Sequence, residues 1–443
     1  DPDVINNFSD QISATRCLFA VASKSGTTTE PVAFHRYWFN EVSKRSASPG
    51  DSFIAITDPE TQMGAAAAAE AFKHTFVNQP DIGGRYSALS YFGMVPAALM
   101  GLDVQRLLQR AAATANLCKS PAGDNPAALL GAVMAECALA GRDKLTIVAD
   151  DQLATLGLWI EQLVAESTGK EGKGIVPVVG ETLGDASVYG NDRVFISITT
   201  GNNLSPNLKA LEDAGHPVVY RTLNDVYDLG AEFFVWEMAT AFAGWRLSIN
   251  PFDQPNVQEA KDATKALLEK YSQHGKLEKQ TPAARDGELT IYAAQSTSET
   301  SVEGLMAQHI ASAGRGDYVA LLNYLEESPE IDAPLQALRT ALRELTGCAV
   351  TSGYGPRYLH STGQLHKGGP DTGVFLQITA PDKTDFPVPE APYSFSVLKE
   401  AQAQGDLEAL MAHGRRAIRV DLGSDIIAGI QRLTELVHAT NKQ

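Results

Sequence analysis

The sequence predicts a mixed α/β protein with mainly parallel sheets, organised as two domains. Short apolar runs bounded by Gly, Pro, Ser, Asp or Asn alternate with longer helix-like stretches, the rhythm of strands covered by helices. The 443 residues exceed what one core usually organises. A composition that is 44% hydrophobic and 20% charged, with 37 glycines and 22 prolines, is that of an ordinary globular protein.

Taken in order, strands are expected at Cys17–Ala22, Phe53–Thr57 and His74–Asn78, and helices at Glu30–Arg45, Ala65–Phe72, Ser87–Met100, Gln105–Asn116 and Pro126–Ala140. The Gly141-Arg142-Asp143 break then divides the chain into domains 1–141 and 142–443. The second series has strands at Lys144–Ala149, Val194–Thr199 and Pro217–Tyr220, a helix at Gln152–Ala165, and later strands at Leu289–Ala293, Gly373–Ile378 and Ala417–Leu422. Gln280–Glu288 is polar and helix-poor and reads as a loop.

Charge and cysteine usage narrow the function classes. A net charge of −17, with 36 Lys and Arg residues scattered along the chain, argues against nucleic acid or an anionic membrane surface as a partner. A phosphorylated substrate would need a focused anion site to overcome that field. The four cysteines show no CxxC or metal-ligand spacing, which suits a reducing, cytoplasmic compartment. No apolar run approaches the ~20 residues of a transmembrane helix, and Asp1–Asp10 shows no signal-peptide pattern. The missing initiator Met and the early first strand predict a piece of a longer chain.

The focused anion site is found after Leu18-Phe19-Ala20-Val21-Ala22. There Ser23-Lys24-Ser25-Gly26-Thr27-Thr28-Thr29-Glu30 leads into a helix, presenting backbone N–H groups, hydroxyls and a helix N-terminus to one spot. It is not a nucleotide P-loop, because GxxxxGK[ST] is absent. By itself the loop reads equally as a capped helix or an anion cradle, since both use the same atoms.

This loop resembles the phosphate loop of sugar isomerase domains, and four further segments resemble glucose-6-phosphate isomerase (phosphoglucose isomerase) motifs. Ile82-Gly83-Gly84-Arg85-Tyr86-Ser87 resembles the signature whose Arg stabilises an enediolate, a role that passes to Arg85. Glu166-Ser167-Thr168-Gly169-Lys170, followed by Gly172-Lys173-Gly174-Ile175, resembles the segment of the catalytic base, here Glu166. Its place near a helix C-terminus is expected to raise its pKa, which an NMR titration of Glu166 would check. Ile249-Asn250-Pro251-Phe252-Asp253-Gln254-Pro255 with Lys261 resembles the signature in which Gln binds phosphate and Lys contacts the ring oxygen; an Asn-Pro turn would open the helix carrying both. Tyr358-Leu359-His360-Ser361-Thr362-Gly363-Gln364 resembles the HxxxQ segment, whose His opens the sugar ring from across a dimer interface. His366 makes no helical metal pair with His360 and reads as structural.

The resemblance therefore implies two three-layer αβα sugar isomerase domains, the first truncated at its N-terminus, and interconversion of glucose 6-phosphate and fructose 6-phosphate. Catalytic roles fall to Glu166, His360, Lys261 and Arg85, and phosphate contacts to Ser23, Ser25, Thr28 and Gln254. No metal or organic cofactor is expected, and the implied partners are a sugar phosphate and a second copy of the chain. In conventional members the HxxxQ segment precedes the lysine signature, whereas here His360 follows Lys261. That order, with His366-Lys367-Gly368-Gly369-Pro370, is similar to the isomerase part of fused transaldolase/glucose-6-phosphate isomerase chains. Asp1–Thr15 lacks a counterpart of the family's first α/β unit. A non-catalytic sugar-phosphate-binding regulator, an inactive fragment, and an isomerase for a C2 epimer such as mannose 6-phosphate are the alternatives.

Overall fold

The computed structural model describes residues 1–14, 17–201, 205–278, 280–293 and 299–440. These form two compact units: residues 1–120, 227–237 and 384–396 in the first, and residues 121–226, 238–383 and those from 397 onward in the second.

The first unit holds a parallel three-stranded sheet of order β1-β2-β3: β1 Phe19–Ala22, β2 Phe53–Thr57 and β3 His74–Val77. All five residues of β2 are buried, as a central strand covered on both faces requires. Phe53 and Ala55 pack with Val21, Met63 and Ala67 on one side, and Ile54 and Ile56 with Val95 on the other. The helix Thr29–Ser43 leaves the carboxyl end of β1, so the anion-loop sequence lies at a strand-to-helix turn.

The second unit contains two sheets. One is parallel, of order β5-β4-β6-β7, built from β4 Lys144–Ala149, β5 Val176–Val179, β6 Arg193–Thr200 and β7 Val218–Leu223. The other has order β11-β10-β12-β13-β9-β8, from β8 Ala284–Asp286, β9 Leu289–Tyr292, β10 Tyr318–Tyr324, β11 Ala349–Tyr354, β12 Gly373–Thr379 and β13 Arg416–Asp421. Its β10 to β13 neighbours are parallel, while β9 and β8 run antiparallel at one edge. One apolar cluster joins the two sheets, from Val176 and Val178 of β5 to Ala320 and Leu322 of β10 and Ala349 of β11. The buried Arg193 of β6 grips Glu181 with two hydrogen bonds of 2.9 and 3.1 Å. Geometry of this forked kind fixes a pair better than a point charge does.

Two expectations change. Gln280–Glu288 is not all loop: β8 pairs with β9 through an Asp286-Gly287-Glu288-Leu289 hairpin, with Gly287 at φ +58°. A two-residue turn beginning with Gly in the left-handed region closes such a hairpin, and the polar residues mark an edge strand rather than a loop. The sequence also assigned no strand to β5, β10 or β11. Tyr318–Tyr324 is buried at every position, and a short continuous apolar run lacks the alternation that separates strand from buried helix. Among the described residues no helix is long and apolar enough to cross a membrane.

Candidate active site

In the first unit the turn from β1 to its helix is shaped by its own hydroxyls. Ser23 is buried; its N–H donates to Ile56 O (3.0 Å) and its Oγ accepts from the Gly26 N–H (3.1 Å). Gly26 sits at φ +72°, and a Cβ there would lie 2.4 Å from Met63 N, so this position has room for glycine alone. Ser25 Oγ and Thr27 Oγ1 are 2.8 Å apart on the exposed side. Thr28 occupies the N-cap with extended backbone, yet its side chain makes no capping hydrogen bond. The Thr28 hydroxyl therefore does not cap the helix. Lys24 turns away from the hydroxyls, pairing with Asp58 and donating to Pro80 O (2.8 Å).

Arg85 lies in the same unit, in the short helical turn Gly84–Tyr86. It is buried, with its guanidinium 5.4 Å from the Tyr86 ring centroid. A Cβ built at Gly84 would meet nothing within 4 Å, so the backbone beside Arg85 has an open face.

The second unit carries the other four candidates. Glu166 is buried in the last turn of the helix Ala154–Thr168, which ends three residues later than expected, and accepts from Gln162 Nε2 (3.2 Å). Gln254 and Lys261 are both exposed. The helix that follows starts at Val257 rather than at the Asn-Pro turn, so Gln254 precedes it and Lys261 lies in its first turns. Asn250 instead closes a side-chain turn, its Oδ1 accepting from the Phe252 N–H (3.1 Å) and its Nδ2 donating to Asp253 Oδ2 (3.0 Å). His360 is half-buried at the end of the helical turn Arg357–His360.

Three side chains outside the sequence assignment join these segments. Lys170, four residues after Glu166, is buried; its Nζ donates to Asn250 O (2.7 Å) and meets Asp253 Oδ1 at 2.7 Å, fixing the turn before Gln254. Ser361, beside His360, donates to Glu161 Oε1 (3.1 Å) on the Glu166 helix. Desolvation pushes the Glu161 pKa up, against the attraction of Arg357 and the Ser361 hydrogen bond. Gln364 donates to Gly169 O and to Asn256 Oδ1, both at 2.9 Å, and accepts from the Asn256 N–H at 2.8 Å. Their residue types give no local signal, because each acts on a partner 80 or more residues away.

His366 is a core residue, as expected. It is buried among Tyr318, Tyr358 and Phe375, and burial with Lys367 and Arg415 nearby holds its pKa well below the usual imidazole range.

The phosphoglucose isomerase family model matches residues 1–206. A glucose-6-phosphate isomerase from Streptococcus pyogenes is 30% identical over 296 residues, covering 56% of this chain and 66% of that protein. One from Rubrobacter xylanophilus is 29% identical over 314 residues, covering 60% of this chain and 72% of that protein. The aligned part thus spans about two thirds of these relatives' lengths. A glucose-6-phosphate isomerase structure from Chlamydia trachomatis shares the fold with a TM-score of 0.50 and 21% identity, over 61% of this chain and 63% of that one. A hypothetical protein from Thermus thermophilus does so with a TM-score of 0.55 and 22% identity, over 60% and 75%.

Proposed function

We propose, from its likeness to the phosphoglucose isomerase family, that this chain interconverts glucose 6-phosphate and fructose 6-phosphate by proton transfer through a cis-enediolate. One observation carries the reading beyond family likeness: within the second unit, the segments bearing Glu166, Gln254 with Lys261, and His360 are tied together through the buried Gln364. A binding protein would have no need of a base and an acid segment held in fixed register.

In this reading Glu166 shuttles the proton between C2 and C1, and His360 with Lys261 opens the sugar ring. Arg85 stabilises the developing oxyanion; a fixed cation placed where charge appears is worth most where water is excluded. Ser23, Ser25, Thr28 and Gln254 contact the phosphate, the first three through hydroxyls gathered at a helix N-terminus. The division into sugar isomerase domains 1–141 and 142–443, the cytoplasmic location, the homodimer and the fusion with a transaldolase belong to the same proposal; the fusion rests on the segment from His360 to Pro370.

The test is conversion of fructose 6-phosphate to glucose 6-phosphate, followed with a coupled dehydrogenase in the presence of EDTA. The Glu166→Gln variant is expected to lose about 10²- to 10⁴-fold in kcat. A folded wild-type chain that binds the sugar phosphate and turns nothing over would favour the regulator or the inactive fragment.

A further inference from the structure

One face of the helix Thr29–Ser43 opens on a cavity. Val32, Arg36, Phe39, Asn40 and Ser43 follow one another at spacings of three and four and so lie on one side of it. Across from them stands the helix Gln62–Ala69, in which Gly64 to Ala69 carry no side chain larger than a methyl group. The space left between the two helices is about 430 Å³ and lies wholly within the first unit. Small-molecule sites typically measure roughly 300–1,000 Å³.

Val32, Phe39 and Met63 supply the apolar part of the lining, and its polar groups are held in place. His35, buried and edge-on to Phe72, meets Glu70 Oε2 at 2.7 Å. A carboxylate only accepts, so the ring donates and fixes how Glu70 is presented. Arg36 and Glu390 approach to 3.7 Å, too far for a direct hydrogen bond and near enough for one hydroxyl to bridge them. Glu390 sits at φ +63°, a left-handed conformation unfavourable for a residue with a Cβ and of the kind that gathers at ligand sites. Asn40 and Gln62, one from each helix, are exposed and add carboxamides that both donate and accept.

The charge of this lining selects the class of ligand. Each carboxylate faces a basic group, His35 beside Glu70 and Arg36 beside Glu390, so neither sign is left in clear excess. An anion would also meet the field of a chain carrying −17, and a cation would compete with Arg36 and His35 for the same two carboxylates. Mixed donors and acceptors around an apolar patch suit a ring with hydroxyls on its edge and C–H groups on its faces. We propose that this cavity is a binding site for an uncharged cyclic polyol of monosaccharide size. Gly26 lines it as well, and a Cβ there would lie 2.4 Å from Met63 N, so the occupant lies against the Ser23–Thr28 turn.

Met63 provides the reporter. The chain has seven methionines, few enough to resolve by NMR after methyl-¹³C labelling, and Met63→Leu identifies the signal. The probe is myo-inositol, which has neither a carbonyl nor a phosphate and so cannot be isomerised. A saturable displacement of the Met63 methyl signal is expected, with a Kd on the order of 1 mM for so small a ligand. Inorganic phosphate and butane-1,4-diamine should leave the signal in place at the same concentration. The double variant Asn40→Ala with Gln62→Ala changes only exposed side chains and so keeps the fold, and its Kd is expected to rise at least about tenfold. A Met63 signal that myo-inositol does not move, or that phosphate or the diamine moves as far, overturns the proposal, as does an unchanged Kd in the variant. Binding is read here without turnover, so a failure of the isomerase reading leaves this result standing.

Discussion

In the Ser23–Thr28 turn the shaping hydrogen bonds close over two or three residues, Gly26 N–H to Ser23 Oγ and Thr27 N–H to Ser25 Oγ, or onto the neighbouring strand through Ile56 O. Around Glu166 the corresponding bonds close over 108, 195 and 200 residues, through Gln364 and Ser361. The first region needs only its own sequence and one strand to take shape. The second exists only when the core joining the two sheets of its unit has formed, so its geometry stands or falls with global stability.

Acid should separate these regions most strongly. His309 donates its Nε2–H to Phe375 O (3.1 Å) at the six-stranded sheet, and burial lowers its pKa to about 4. The folded pKa lies below the unfolded one of ~6.5, so the folded state binds fewer protons in this window and stability falls as pH drops from 6.5 towards 4. For a partly buried ring the loss is about 2–3 kcal/mol, and His366, lowered by burial in the same unit, adds to it with the same sign. Denaturant melts at pH 7 and pH 5 should show the loss, and His309→Gln, which keeps a donor without titrating, should flatten it. An unchanged slope in that variant would clear His309.

The local region breaks at a single residue. Gly26→Val forces a β-branched side chain to φ +72° with its Cβ against Met63 N, a strain of ~2 kcal/mol or more. The expected kinetic result is a KM for fructose 6-phosphate raised at least about tenfold, with kcat affected less, because in the proposed function the turn contacts phosphate and not the reacting carbons. A variant that folds and keeps its KM would remove the Ser23–Thr28 turn from the site.

The same contrast explains what was legible in the sequence. The Ser23–Thr28 turn, β2 and β4 were read directly, because apolar run, breaker and hydroxyl cluster are adjacent in the chain. Glu166, Gln254, Lys261 and His360 could be placed only by resemblance, since an exposed Lys261 or a half-buried His360 carries no local mark of its use. Lys170, Ser361 and Gln364 were seen only as members of the matched segments and given no role of their own. Their work is a distance between remote segments, and no periodicity or spacing encodes it. The assignment of residues 227–237 and 384–396 to the first unit was hidden for the same reason, as it depends on contacts made far along the chain.

The smallest effect tests the finest of these links. Ser361→Ala removes the hydroxyl that donates to Glu161 Oε1 and leaves the carboxyl buried with one partner fewer. Burial already raises the Glu161 pKa, and the lost donor raises it further, because Ser361 favours the charged form. A carboxyl whose folded pKa exceeds the unfolded value penalises the fold increasingly as pH rises from the unfolded pKa towards the folded one. The variant should therefore be less stable than wild type by about 1 kcal/mol at neutral pH, with the gap narrowing in acid, where Glu161 is protonated in both proteins. That trend runs opposite to the histidine effect, so melts at three pH values distinguish the two. A gap that stays constant with pH would mean that Ser361 only fills space beside the Glu166 helix.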